Sequence, residues 1–150
     1  MNLTTSAILG LVALFGAGAA LAVQAPINTI LARSAGGLLP TAALSFLVGF
    51  LGLVLLLALR GEVPSFHRLG EAPWWAWLGG AIGVLYLVVT MWTVPKLGVL
   101  SVTVALILGQ LVAGLLLDRI GAFGLAVHEI TWPRILGVAM VLSGLVMTRL

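Results

Sequence analysis

Long apolar runs, separated by short polar or Gly- and Pro-rich stretches, set the pattern of this chain. None of the runs alternates with period two, so strands with one lipid face and one lumen face are not indicated. Four of them approach the roughly 20 residues that a helix needs to cross a bilayer. The pattern predicts helices over 5–31, 41–59, 74–94, 99–117 and 134–148, the last being the shortest. Gly36-Gly37-Leu38-Leu39-Pro40 separates the first two, and Pro95-Lys96-Leu97-Gly98 is read as a tight turn between the third and fourth. The stretches 60–73 and 118–133 are too polar and Gly-rich to span. The predicted class is an all-α membrane protein, a single domain over 1–150 built as a five-transmembrane-helix bundle, since lipid admits no unpaired strand edges.

Composition sharpens this reading. The chain is 62% hydrophobic and 7% charged, with a mean hydropathy of +1.27; a soluble domain carries about 25% charged residues. Trp74, Trp75 and Trp77 open the third helix and Trp132 the fifth, at the depth where amphipathic rings favour the headgroup zone. The first apolar run lacks the positive flank of a secretory signal and runs on to Asn28, so it is expected to remain as a helix. A few arginines at membrane edges account for the basic pI near 10.7, which gives nucleic-acid binding no support.

Charge placement bears on orientation. With five spans, Arg60, Arg68, Arg119 and Arg134 fall on one side and Arg33, Lys96 and Arg149 on the other. Such a near balance gives the positive-inside rule little to act on. It points to copies inserting both ways and pairing as an antiparallel homodimer. Small residues recur at helical spacing for tight packing within or between subunits: Gly16 with Ala20, Gly49 with Gly52, and the GxxxG pair Gly79 and Gly83.

Polar groups inside the runs are the candidates for chemistry. Gln24 and Asn28 lie one turn apart, with Pro26 between them as a candidate hinge that frees a backbone carbonyl. Thr103 and Gln110 share a face of the fourth helix, with Ser101 nearby; the third offers Tyr86, Thr90 and Trp92. An amide in hydrocarbon must find partners or water, so Gln24, Asn28 and Gln110 are expected to face the bundle or a wet cavity. The hydroxyls of Ser45, Thr90, Ser101 and Ser143 are expected to be satisfied structurally, between helices or on their own helix. No ionisable residue lies deep in a predicted span, and Asp118, Glu129, His67 and His128 read as solvated edge or loop groups. There is no cysteine, no metal-ligand spacing and no nucleophile–base arrangement, so neither a cofactor nor enzyme activity is expected.

Five stretches also carry a family resemblance: Gln24-Ala-Pro-Ile-Asn28, Trp74-Trp75 with Gly79-Gly80-Ala-Ile-Gly83, Pro95-Lys-Leu-Gly98, Gly109-Gln110-Leu111, and Asp118-Arg-Ile-Gly121-Ala-Phe-Gly124. In these the chain resembles the YdcZ-like inner-membrane exporters, half-length members of the drug/metabolite transporter superfamily. The resemblance implies a bacterial inner-membrane carrier of ten helices, assembled from two oppositely oriented five-helix units as a homodimer or with a paralogous partner. It also implies a pathway lined by the first four helices, with Gln24, Asn28 and Gln110 facing it. Arg119 departs from the family pattern, and the helix-1 Glu of the four-helix multidrug relatives is missing. The expected function is export of a small polar, zwitterionic or cationic solute by alternating access, cations being held on the faces of Trp92 or Tyr86. A dual-topology channel for a small ion and a non-transporting subunit are the alternatives.

Overall fold

The computed structural model describes residues 5–148, all helix, turn and loop, with no strand among the described residues. Arg149, which enters the charge tally, lies outside them. The elements are α1 (Thr5–Ser34), α2 (Leu38–Arg60), α3 (Phe66–Leu69), α4 (Leu78–Ile120) and α5 (Trp132–Met147). Helix α1, helix α2 and the stretch Trp74–Ile120 are each long and apolar enough to cross a membrane; α5 is apolar but shorter. The chain forms two compact units, Met1–Pro95 and Lys96–Leu150.

The first unit is organised by the α1–α2 hairpin. Gly36 and Gly37 have φ of 81° and 140°, a region open to glycine but costly to other residues. The Ala35 and Gly37 N–H groups donate to Leu31 and Ala32 carbonyls, so the end of α1 is closed by backbone alone. Pro40 lies inside the first turn of α2 rather than in the breaker, because a missing N–H costs nothing there. Thr41, fully buried, donates its hydroxyl to the Gly37 carbonyl at 2.7 Å. Gly61 (φ 65°) closes the far end of α2, with Gly61 and Glu62 N–H groups on Ala58 and Leu57 carbonyls. The polar segment that follows, expected as plain loop over 60–73, folds one short helix (α3), and the helix expected from Trp74 opens with a 3₁₀ turn, Trp74–Trp77, before α4 begins.

Helix α1 extends to Ser34 and passes through Pro26 without a non-helical residue. Helix α4 likewise continues past Pro95; its one non-helical residue is Gly98 (φ 76°, ψ 160°). The break expected across 95–98 is therefore confined to the glycine, which alone of the four can adopt that conformation cheaply.

Packing is sparse. Buried hydrophobic residues among those described are Ala25, Ala42, Leu87, Met91, Val94 and Val102, and Ala42, Leu87 and Met91 form one cluster with Leu38, Tyr86 and Val88 against it. Phe15, Val48, Leu59, Ile82 and Leu100 all stand exposed. In lipid this costs little, since acyl tails are as apolar as leucine.

In the second unit, α4 ends on Gly121 (φ 60°), where a Cβ would meet Val127 Cγ2 at 2.8 Å and the Leu125 carbonyl at 3.1 Å. Phe123 follows in the left-handed region (φ 59°) and Gly124 with φ 77°. The stretch from Gly121 to Gly124 is thus a tight turn built on left-handed residues, and the chain beyond it has no regular structure up to Thr131, after which α5 begins with Pro133 in its first turn.

Candidate functional site

The polar seam of the first unit lies between α1 and α2. Asn28 and Ser45 are equidistant from the Gly36–Gly37 turn, so the antiparallel hairpin sets them opposite each other. The Ser45 hydroxyl donates to Asn28 Oδ1 at 2.7 Å. Asn28 is 5% exposed, and its Nδ2 is buried with no acceptor. A buried N–H without a partner costs about 1–3 kcal/mol. Gln24, although one turn from Asn28, is exposed rather than buried. It borders a cavity of about 610 Å³ within this unit, together with Ser45 and the half-buried Tyr86. Trp92 is 56% exposed.

The glycines expected to pack helices divide. A Cβ at Gly83 would stand 3.2 Å from Phe46 Cζ, so this glycine admits the ring. At Gly16, Gly49, Gly52 and Gly79 a Cβ would meet nothing within 4 Å. Those four are open positions of the folded chain.

The hydroxyls also divide. Thr90 donates to its own helix, at the Tyr86 and Leu87 carbonyls (both 2.9 Å), and Ser143 does so at Met140 (2.8 Å). Ser45 and Ser101 instead reach other side chains; buried Ser101 donates to Thr148 Oγ1 at 3.2 Å.

The second unit holds a different site. Exposed Gln110 borders a cavity of about 430 Å³ that also meets Asp118 and Arg134. Asp118, expected as a solvated edge carboxylate, is paired: Arg134 Nη2 donates to its Oδ2 at 2.9 Å. Its backbone carbonyl receives the His128 N–H at 2.9 Å, which ties the segment after the turn to the end of α4. The two side chains are about one third exposed, while Arg134 Nη1 is buried with no acceptor. Thr103 is half-buried and Arg119 exposed. Gln24 and Gln110 thus border separate cavities, one in each unit. The second ion pair, Arg60 with Glu62 at 3.9 Å, is exposed and adds little.

Two residues central to these sites, Ser45 and Arg134, carried no functional weight in the sequence reading. A signal for both was available: Ser45 mirrors Asn28 about the Gly-Gly turn, and Arg134 mirrors Asp118 about Ala126. No group of three or more His, Cys, Asp or Glu side chains that could hold a metal occurs among the described residues.

No curated protein and no solved structure matches the chain significantly. One family does, and it covers nearly the whole length. Residues 9–147 match the family described as "Putative inner membrane exporter, YdcZ". With its long apolar helices, this is a multi-pass inner-membrane protein of transporter type. The chain belongs to the YdcZ family of inner-membrane exporters.

Proposed function

We propose that this chain is one half of an antiparallel homodimer that exports a small solute by alternating access. Each copy is a single membrane domain that contributes five spans: α1, α2, the two parts of α4 on either side of Gly98, and α5. Ten helices then surround the pathway, an arrangement typical of inverted-repeat carriers. Gln24, Asn28 and Gln110 contact the solute, with Tyr86, Trp92, Ser101 and Thr103 along the route and Pro26 as the hinge. Its missing N–H leaves the Ala22 carbonyl without an intrahelical donor.

The observation that carries this reading is the α1–α2 seam: a buried amide with an unmet donor and an accessible amide one turn away, next to a cavity of solute size. Hydrocarbon makes unmet polarity expensive, and a polar group retained there is explained best by a transported partner. The pairing of copies is supported by the near-equal charge tally and by Gly16, Gly52 and Gly79, which meet no atom of the folded chain. The polar, zwitterionic or cationic solutes expected from the sequence share one requirement, a hydrogen-bonding group to engage the amides.

Two measurements test this. C-terminal fusions to a cytoplasm-only reporter and to a periplasm-only reporter give signal from both; signal from one alone removes the homodimer and points to an oppositely oriented partner. Once a substrate is in hand, Gln24→Ala, Asn28→Ala and Gln110→Ala reduce flux while leaving assembly intact. Wild-type flux in all three ends the transporter reading in favour of a structural subunit, and a flux too fast for a conformational cycle ends it in favour of a channel.

A further inference from the structure

The first unit's cavity has a lining that selects among solutes. Its apolar wall is Leu21 from α1, Phe46, Phe50 and Leu53 from α2, and Leu87 from α4. Its polar groups are Gln24, Ser45 and Tyr86, and no charged residue among those described borders it. Moving an ion from water into such a place without a counter-charge is severely unfavourable. An uncharged molecule with an apolar body loses nothing comparable and gains from burial. The volume, about 610 Å³, lies within the range of drug-sized sites.

The polar corner adds a second constraint. The hydroxyl proton of Ser45 is committed to Asn28 Oδ1, so towards the cavity Ser45 can only accept. Gln24 offers both a donor and an acceptor, and Tyr86 a hydroxyl. Asn28, bonded to Ser45, keeps an unmet donor. Glycines shape the space: Gly83 lets the Phe46 ring lean in, and Gly49 leaves open volume where a side chain would stand.

We propose that this cavity binds an uncharged, mainly apolar molecule bearing one hydrogen-bonding group, seated against Phe46 and Phe50 with that group at Gln24 and Ser45. Asn28 is a positioning residue that sets the direction of the Ser45 hydroxyl. The assignment rests on the transport reading for its purpose but not for its binding chemistry, and it excludes the zwitterionic and cationic solutes among those expected from the sequence.

The test uses the full-length chain in phosphatidylcholine nanodiscs with two fluorescent probes sharing one aromatic body. N-phenylnaphthylamine is neutral and carries one N–H; anilinonaphthalene sulfonate adds a fixed negative charge. The neutral probe shows a saturable component above its linear lipid partition, and the sulfonate shows none. Gly49→Phe fills the cavity from α2 and weakens the saturable component by at least about tenfold, as expected for loss of a well-fitted apolar site. Leu21→Trp fills it from α1 and does the same, which covers the case in which one variant fails to fold. Ser45→Ala and Gln24→Leu each weaken it by about three- to tenfold, the worth of one hydrogen bond. Purely linear partition of the neutral probe overturns the proposal, because lipid tails or a helix of a second copy then own the cleft. An undiminished saturable signal in both filled variants, or equal binding of the sulfonate, overturns it as well. Saturable binding combined with wild-type flux in Gln24→Ala, Asn28→Ala and Gln110→Ala sinks the transport reading and keeps the cavity. Flux lost in those variants, with only linear partition, does the reverse.

Discussion

The two units each meet a polar group within an apolar chain, and they do so differently. In the first unit the polar seam is neutral: an amide and a hydroxyl face each other across α1 and α2, and no charged residue among those described borders the cavity. In the second, the cavity at Gln110 is closed by an ion pair, and both charged side chains remain about one third exposed. The difference follows depth along the sequence. Asn28 and Ser45 stand within apolar runs, where only an uncharged group is tolerable; Asp118 and Arg134 stand at the ends of theirs, where water reaches the charges. The lesson is that local polarity is matched to position along the apolar runs, neutral within them and charged at their ends.

The sharpest way to break this comparison is at Gly121. Gly121→Val forces a branched side chain into φ 60° and into the space of Val127 Cγ2, 2.8 Å from the Cβ position. A loss of about 3 kcal/mol is expected from backbone strain and overpacking together. Thermal unfolding in nanodiscs checks it, and an unshifted midpoint would mean that the turn is not rigid.

Next comes the neutral seam. Ser45→Ala leaves Asn28 Oδ1 buried and unpaired beside an already unpaired Nδ2, which costs about 1–3 kcal/mol. The double variant Asn28→Leu with Ser45→Ala removes both partners and recovers most of that stability while losing transport. Equal stability of the single and double variants would show that the pair is not coupled.

The ion pair is worth less. Asp118→Ala lowers stability by about 1 kcal/mol, since partly exposed charges gain little from pairing. The charge swap Asp118→Arg with Arg134→Asp restores part of it, and salt weakens the wild-type pair but not the Ala variant. A loss far above this range would place the corner out of reach of water and remove the contrast with the first unit.

Smallest, and opposite in sign, is Gly79→Ala. Its Cβ meets no atom of the folded chain, so helix propensity favours alanine by up to about 1 kcal/mol. If Gly79 packs against a second copy, the same substitution weakens dimer association instead, and cross-linking yield distinguishes the two. Gly83→Ala serves as the internal contrast, because there the Phe46 ring must give way within one chain.

The sequence by itself determined the class and most of the element positions. Apolar run length, few charges and tryptophans at run ends are one-dimensional signals, because the bilayer imposes a length and a polarity on every span. Resemblance in five short stretches was likewise enough to indicate the family that residues 9–147 match. Prolines were the poorest guides: Pro40 and Pro95 read as breakers, yet both sit within helices, and the glycines at 37 and 98 carry the non-helical geometry. Only the tertiary structure decided which polar residues meet. Gln24 and Asn28 share a helix face in projection, but Asn28 is buried, bonded to Ser45 of α2, while Gln24 stays open, so burial separates residues that periodicity had joined. Ser45 with Asn28 and Arg134 with Asp118 are distant in sequence; their mirrored positions about each turn allow the pairing, and how the hairpin or the left-handed turn folds back decides it.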